Sequence, residues 1–162
     1  MAFEDDLMGL VPRLRRFARS LTRDASDADD LCQSAIERAL VARAQYQPGT
    51  RLDSWMYRIM RNLWIDTARA RTRAGRTFVA EDAGLTVGDA GDRAVEAHVE
   101  LGNVARAMDR LAPEQREAVA LVLIEGLAYR EAAEVLDIPM GTLTSRLVRG
   151  REALMRHLGE AA

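Results

Sequence analysis

The chain has 162 residues, of which 48% are hydrophobic and 30% charged, and its formal net charge is -2. This length suits one large or two small domains, and no apolar run is long enough to cross a bilayer. The first residues, MAFEDDLMGLV, are acidic and do not resemble a secretory signal, so we expect a cytoplasmic protein without membrane insertion. A single cysteine, Cys32, excludes an internal disulfide, and two isolated histidines predict neither a metal site nor a cofactor.

The charged residues are distributed unevenly. Residues 58–76 contain six Arg and one acid, and residues 140–158 contain four Arg and one acid. Acidic residues dominate residues 77–98 and 109–137. Two basic patches on an otherwise acidic chain are typical of a protein that contacts DNA at two places.

Helical periodicity extends from Asp5 to about Arg73. Apolar residues recur there at three- and four-residue intervals in three stretches, which predicts a helical bundle. Breaks are expected at residues 22–27 and 47–50, where small polar residues, Pro and Gly interrupt the pattern. The candidate caps of the helices that follow these breaks are Ser26, Asp27, Thr50 and Asp53.

The third helix of this bundle, from Asp53 to about Arg73, combines aromatic and Arg residues. The residues expected on its core side are Trp55, Ile59 and Leu63. Those expected to point elsewhere are Tyr57, Arg61 and Trp64. Aromatic rings beside Arg on an exposed helical face can stack on unpaired bases while the guanidinium groups hold phosphates. The alternative is that Tyr57 and Trp64 pack against a neighbouring helix.

The periodicity stops at residues 74–94, where four glycines and scattered acids predict a linker. Helical spacing resumes at Val95. Pro113 then opens a further helix that runs to about Ile124, and Gly126 ends it. The predicted fold is therefore all-α, with two small helical domains joined by a linker.

The last part of the chain, residues 129–154, predicts two helices separated by a short break that contains Asp137 and Pro139. Thr142 could cap the second helix. At about 100° per residue, Leu143, Leu147, Leu154 and Leu158 fall on one arc, and Thr142, Ser145, Arg149 and Arg156 lie roughly opposite. Helices joined by so short a break cross steeply, so the second can enter a DNA major groove. The alternative is an ordinary amphipathic hairpin with a solvated basic face.

Four motifs, in this order along the chain, resemble those of bacterial sigma factors of the extracytoplasmic-function (ECF) type. They are ASDADDLCQSAIERAL (25–40), YQPGTRLDSWMYRIMRNLWID (46–66), LAPEQREAVAL (111–121) and EGLAYREAAEVLDIPMGTLTSRLVRGREAL (125–154). The resemblance implies a sigma-two-like domain at residues 1–73, a linker at 74–94 and a sigma-four-like domain at 95–162. Two shorter pieces, ARSLTRDASDADDL and YQPGT, are similar to the general-stress subgroup.

The resemblance also implies partners. These are core RNA polymerase, through its β′ and β subunits, promoter DNA and an anti-sigma factor. The acidic helix within residues 25–40 would dock on a coiled coil of β′. Its residues that match the family's polymerase-binding motif are Asp27, Asp29, Asp30, Leu31 and Gln33.

Two further sites follow from the residues and the resemblance together. The third helix of the bundle would separate the DNA strands at the minus-ten element and hold this element. The loop at residues 47–52 would accept a flipped base. The predicted minus-ten residues are Tyr57, Arg58, Arg61, Asn62, Trp64, Arg69, Arg71 and Arg73. The predicted minus-thirty-five residues are Thr142, Thr144, Ser145, Arg146, Arg149 and Arg151. Thr144 departs from the family, which commonly has Lys at this position.

The sequence can be interpreted as one of three functional classes. An ECF sigma factor would be a non-enzymatic promoter-specificity subunit. A sigma-like mimic that captures an anti-sigma factor usually carries a receiver domain, and no strand-helix alternation precedes the helices here. An enzyme would need a Gly-rich phosphate loop, a nucleophile motif or metal-ligand spacing, and the sequence has none of these. The sequence therefore favours the sigma factor.

Overall fold

A computed structural model describes residues 2–74 and 102–161, and these ranges are helical with short connections. The helices are α1 (Ala2–Thr22), α2 (Ala25–Val41), α3 (Leu52–Arg73), α4 (102–109), α5 (Pro113–Val119), α6 (Tyr129–Leu136) and α7 (Met140–Ala161). A 3₁₀ turn at Arg43–Gln45 follows α2, and a π-helical turn at Ala120–Ile124 continues α5. The all-α prediction is confirmed for the described residues. Nearly all of the predicted linker, and the helical spacing predicted from Val95 to Leu101, lie outside them.

Helices α1, α2 and α3 pack into a bundle that forms the N-terminal region, residues 2–74. Phe17 of α1 lies against Tyr57 of α3, with ring centroids 4.8 Å apart and both side chains fully buried. Helix α2 contributes small residues such as Ala35, which lets it approach its neighbours closely. Cys32 is a buried free thiol, and burial raises its pKa.

The buried side of α3 differs from the predicted one. The side chains of α3 that bury most deeply are Met56, Tyr57 and Met60, whereas Trp55, Ile59 and Leu63 are only partly buried. The prediction that Tyr57 points away from the core is wrong. Helix α3 contacts α1 and α2 on one side and α6 on another. It therefore buries a wider arc than a helix that is covered from one side only.

The helix caps are not the predicted residues. Helix α2 is capped by Asp24, whose side chain accepts a hydrogen bond from the backbone N–H of Asp27 at 3.1 Å. The cap position of α3 is Arg51, whose guanidinium cannot accept a capping bond, and the Thr50 hydroxyl donates to the Gln47 carbonyl. Each break did fall near its predicted place.

Helices α4 to α7 form the C-terminal region, residues 102–161. Pro113 opens α5 and the chain leaves this helix through Gly126, whose φ of +76° favours glycine, so both predictions are confirmed. Gly150 of α7 faces α5. A Cβ atom at Gly150 would lie 2.8 Å from Cγ2 of Val119, so only glycine permits this close approach of the two helices.

The two regions pack against each other, and α1 and α3 supply the N-terminal side of the contact. Helix α1 contacts α5 and the π-helical turn, and α3 contacts α6. The connection between the regions is thus not the sole link between them. Within the described ranges, each helix is too short or too polar to span a bilayer.

Candidate nucleic-acid interface

Helix α7 turns an apolar face to the core and a polar face to solvent. Leu143 and Leu147 are 0% and 3% exposed, and both belong to the core. Ser145 and Arg149, on the opposite side, are exposed. The predicted orientation of this helix is therefore confirmed. Of the other predicted minus-thirty-five residues, Thr144 and Arg151 are exposed, and Thr142 and Arg146 are half-buried.

The turn before α7 has the geometry of a sharp helix-to-helix connection. Asp137 ends α6 with a left-handed φ of 55°, and the helix resumes at Met140, immediately after Pro139. Thr142 therefore lies within the first turn of α7, and the prediction that it caps this helix is wrong. Pro139 takes the position before the helix, and its carbonyl accepts the N–H of Leu143 at 3.0 Å.

Helix α7 also exposes apolar residues that were not among the predicted site residues. Val148 is 50% exposed and Met155 63%, and they lie beside Arg151. The helical periodicity places Val148 next to Ser145, so the exposure of Val148 could have been predicted from the sequence. An exposed aliphatic side chain on a basic helix face has the chemistry that contacts the methyl group of thymine.

The predicted minus-ten residues of α3 fall into two groups. The exposed group consists of Arg58, Asn62, Arg69 and Arg73. The engaged group consists of Tyr57, Arg61, Trp64 and Arg71, each of which contacts other protein side chains. The exposed group can meet a phosphate backbone in this arrangement, whereas the engaged group already has partners.

Tyr57 is the most completely engaged of these residues. It is 0% exposed, and its hydroxyl donates to Oε1 of Glu125 in the C-terminal region at 2.8 Å. Burial, followed by the neighbouring Glu125 carboxylate, raises the pKa of Tyr57, so the hydroxyl stays protonated. Base stacking on this ring is not possible in the arrangement described. The alternative, packing against a neighbouring helix, is therefore correct for Tyr57.

Arg61 and Arg71 each pair with a carboxylate. Nε of Arg61 lies 3.3 Å from Oε1 of Glu117, and burial raises the pKa of Glu117 while Arg61 opposes that shift. Arg71 donates two hydrogen bonds to Asp27, at 2.8 and 2.7 Å, and its guanidinium lies 5.5 Å from the Trp64 ring centroid. A predicted DNA contact is thus bound to a predicted polymerase contact.

The acidic helix α2 presents only part of its predicted surface. Asp29, Asp30 and Gln33 are exposed. Leu31 is 5% exposed and lies in the core, so its side chain is not available on the surface as the prediction required. The spacing explains this, because Leu31 shares a face with Ala28 and Ala35.

The loop at residues 47–52 rests on an aromatic cluster that the sequence analysis missed. Tyr46 lies 5.8 Å from Phe3 and 5.3 Å from Trp55, measured between ring centroids. The Tyr46 hydroxyl donates to the Thr50 carbonyl at 2.5 Å, and Gly49 has a φ of +91°. The residues are far apart in sequence, so no local pattern could have joined them.

Comparison with known proteins identifies relatives over nearly the whole chain. Models of Sigma-70 region 2 and Sigma-70 region 4 match residues 8–74 and 101–154. The chain is 37% identical over 153 residues to the ECF RNA polymerase sigma factor EcfG of Rhodopseudomonas palustris (strain TIE-1), covering 94% of this chain and 83% of the relative. It is 36% identical over 150 residues to the ECF RNA polymerase sigma factor SigE of Mycolicibacterium smegmatis, covering 91% of this chain and 58% of the relative.

A solved structure has the same fold over its full length. It is the sigma factor RpoE of Bartonella quintana, crystallised in complex with the anti-sigma factor NepR. The TM-score is 0.81 at 28% identity, and the alignment covers 98% of this chain and 97% of RpoE.

Proposed function

The chain belongs to the extracytoplasmic-function family of RNA polymerase sigma factors, and we propose that it binds core RNA polymerase and directs initiation at promoters with minus-ten and minus-thirty-five elements. The family is non-enzymatic, so the role is recognition. In this proposal residues 1–73 bind polymerase and the minus-ten element, residues 95–162 bind the minus-thirty-five element, and residues 74–94 join them.

The observation that carries this proposal is the exposed polar face of α7. Arg149 and Ser145 lie opposite the buried Leu143 and Leu147, on a helix that follows a sharp turn. This is the arrangement of a recognition helix, which enters the major groove with its exposed side chains against base edges. Arg149 has the planar fork that pairs with guanine, and Arg151 lies to one side, where it can meet phosphate.

Binding to the minus-ten element relies on the exposed group of α3. Arg58, Arg69 and Arg73 carry the positive charge that a phosphate backbone needs, and Asn62 offers an amide to bases. The loop at residues 47–52 is the proposed binding site for a flipped base. It is exposed, and the Tyr46 hydroxyl anchors it through a hydrogen bond to the Thr50 carbonyl. Trp64 is half-buried and is the remaining aromatic candidate for stacking.

Polymerase binding is assigned to α2, and to its exposed residues in particular. Asp29, Asp30 and Gln33 form a polar surface that could meet basic groups of the β′ coiled coil. Asp27 contributes only when its pair with Arg71 opens. We also propose an anti-sigma factor as partner, since RpoE was crystallised with one. Action in the cytoplasm and membership of the general-stress subgroup complete the proposal.

Run-off transcription with purified core polymerase tests this function. A set of promoter fragments should yield specific transcripts only when the protein is added, and an Arg149→Ala variant should lose most of them. An Arg106→Ala variant, which removes an exposed Arg of α4, serves as the charge-matched control. Absence of any promoter-specific transcript, together with tight binding to an anti-sigma factor, would point to the sigma-like mimic instead.

A further inference from the structure

The loop at residues 47–52 is closed by three hydrogen bonds that converge on Thr50. The hydroxyl and the backbone N–H of Thr50 both donate to the Gln47 carbonyl, at 2.7 and 3.2 Å. The Tyr46 hydroxyl donates to the Thr50 carbonyl at 2.5 Å. Gly49 has a φ of +91°, a backbone conformation that favours glycine. The conformation of this turn is therefore fixed by contacts within the protein.

Tyr46 is itself held in the aromatic cluster, which consists of Phe3, Tyr46 and Trp55. The ring centroids lie 5.8 Å apart for Phe3 and Tyr46, 5.3 Å for Tyr46 and Trp55, and 6.1 Å for Phe3 and Trp55. All three pairs are tilted or edge-on, as aromatic rings prefer. Phe3 and Trp55 also pack against the hydrophobic core. Because each ring lies against the other two, the position of Tyr46 depends on both neighbours.

The cluster joins the first turn of α1 to the loop. Phe3 belongs to that turn, whereas Trp55 belongs to the first turn of α3 and Tyr46 follows the 3₁₀ turn. Arg43 lies over the Phe3 ring, 5.7 Å from its centroid, and pairs with Glu4. The side chains of this ion pair are 52% and 40% exposed, and pairs as exposed as this contribute little to stability. The rings therefore provide most of the support.

The other end of the loop has an anchor of its own. Arg51 donates to both carboxylate oxygens of Asp53, at 3.0 and 2.6 Å. Asp53 is 7% exposed and also accepts from Arg13 of α1 at 2.8 Å. The loop is thus held on both sides, and residues 47–49 between the two anchors are exposed.

A loop that is held in this way suits the recognition of a single base. Ordering a mobile loop on binding costs free energy, and a loop that is already ordered avoids this cost. Recognition also requires that the contacting groups stay within roughly 0.5 Å of their binding positions. Tyr46 acts on the loop through the Thr50 carbonyl, so its contribution to such a site is to position the backbone.

We propose that the first turn of α1 belongs to the minus-ten site: through the aromatic cluster it fixes the loop at residues 47–52 in the conformation that receives a flipped base, and Tyr46 is the positioning residue. This inference rests on the proposed function, because it requires that the loop bind a base. It assigns no base contact to the three rings, which act through the backbone of the loop.

The test measures how strongly transcription depends on each base of the minus-ten element. Holoenzyme is assembled from purified core polymerase and the full chain, on a promoter from which wild type gives a specific run-off transcript. Abasic sites are placed one at a time along the non-template strand of the element. The penalty at each position is the amount of transcript from the intact promoter divided by the amount from the abasic one. Because each variant is compared with itself, a general loss of activity or stability cancels.

Two variants loosen the loop, and each has a matched control. Tyr46→Phe removes only the hydroxyl that donates to Thr50, and Tyr129→Phe removes a hydroxyl from a residue of α6 that is 45% exposed. Phe3→Ala removes a ring of the cluster, and Met8→Ala shortens a side chain of α1 that is 63% exposed. Phe3→Leu keeps part of the packing as the conservative variant. Circular dichroism establishes that all of them are folded.

Wild type and the two controls should show one position with a penalty of about tenfold or more, in line with the strength of base stacking on proteins. In Tyr46→Phe and Phe3→Ala the penalty at this position should fall to about threefold or less, because a misplaced loop gains little from the base. The penalties at other positions should not change, and Phe3→Leu should be intermediate.

Hydrogen exchange shows whether the loop itself has loosened. The Thr50 amide, followed by NMR in the free protein, should exchange faster in Tyr46→Phe and Phe3→Ala than in wild type, since local opening exposes it more often. Tyr129→Phe and Met8→Ala should leave its exchange unchanged. A readout on one amide separates loop positioning from a general loss of stability.

The proposal is overturned if Tyr46→Phe keeps the wild-type penalty, or if wild type shows no sensitive position. A reduced penalty without faster exchange at Thr50 also overturns it, because Tyr46 would then contact the base directly. These outcomes all require a transcribing wild type and leave the sigma-factor role intact. Absence of any specific transcript from wild type instead removes the proposed function, and this inference with it.

Discussion

The two basic helices differ in how much of their polar face is free. Helix α7 exposes Ser145, Arg149 and Arg151, and its buried face is the one that the leucine spacing predicted. Helix α3 exposes part of its polar face and commits the rest to contacts with other helices, including the C-terminal region. A helix packed from one side follows its hydrophobic periodicity, whereas a helix packed from several sides does not.

The largest effect is expected when the packing beneath the exposed polar face of α7 is weakened. Leu147→Ala should destabilise the C-terminal region by about 2–5 kcal/mol, because it removes a buried side chain and leaves a cavity. Chemical denaturation followed by circular dichroism measures the change. Met155→Ala, which removes a side chain that is 63% exposed on the same helix, should cost far less. Equal losses for the two variants would contradict the assigned orientation of α7.

A smaller disruption uses the glycine at the contact between α5 and α7. Gly150→Ala should destabilise by about 1–3 kcal/mol, since its Cβ would overlap Val119 and meet the Gln115 carbonyl at 3.1 Å. Gly141→Ala is the control, because nothing lies within 4 Å of its Cβ and alanine favours the helix. Thermal melting should therefore move in opposite directions for the two variants.

The packing of α3 against other helices can be weakened at Asp53, in its first turn. Asp53 accepts from Arg13 and Arg51 at 2.8 and 2.6 Å. Burial raises the pKa of Asp53, but these hydrogen bonds outweigh it and hold the pKa below the ordinary value of 3.8. At neutral pH, Asp53→Asn should cost about 1–3 kcal/mol, because the bonds to a charged group are lost.

The pH dependence of that loss follows from the sign of the shift. A carboxyl group with a lowered pKa in the folded state stabilises the fold above its ordinary pKa, and this contribution disappears as pH falls through the folded pKa. The difference between wild type and Asp53→Asn should therefore shrink below about pH 4, near the unperturbed carboxyl pKa. Asp66→Asn, at an exposed position on α3, is the control. A difference that grows in acid would contradict the ion-pair account.

Arg149 lies on the exposed polar face of α7, so Arg149→Ala should leave stability within about 0.5 kcal/mol of wild type. The same variant should lose about 1–3 kcal/mol of promoter-binding free energy. Gel-shift titrations on fragments with single changes in the minus-thirty-five element distinguish its two possible contacts. Loss of preference at one or two positions indicates a base, and uniform weakening indicates a phosphate. Wild-type transcription from this variant at several salt concentrations would show that the wrong face of α7 was assigned to DNA.

The smallest expected effect restores a charge that the family commonly has. Thr144 is exposed, and its hydroxyl donates to the Met140 carbonyl of its own helix at 2.9 Å. Thr144→Lys should tighten promoter binding modestly for all sequences and steepen the salt dependence by about one unit, as one added phosphate contact would. Thr144→Gln controls for side-chain length without charge. An unchanged slope would place this position away from the DNA backbone.

Much of the site was predictable because it depends on local geometry. The four motifs identified the family, and the leucine spacing oriented α7 because that helix is covered on one side. The caps were placed within a few residues but on the wrong side chains. Several polar residues compete at each break, and the backbone conformation decides between them.

The sequence by itself determined the helices, their order, the breaks between them and the two concentrations of Arg, since all of these follow from spacing along one chain. Only the tertiary structure decided which arginines of α3 are free. Tyr57, Arg61 and Arg71 match a DNA-binding pattern, yet their partners Glu125, Glu117 and Asp27 lie 44 to 68 residues away in sequence. Such pairings arise when helices pack, and no local periodicity encodes them.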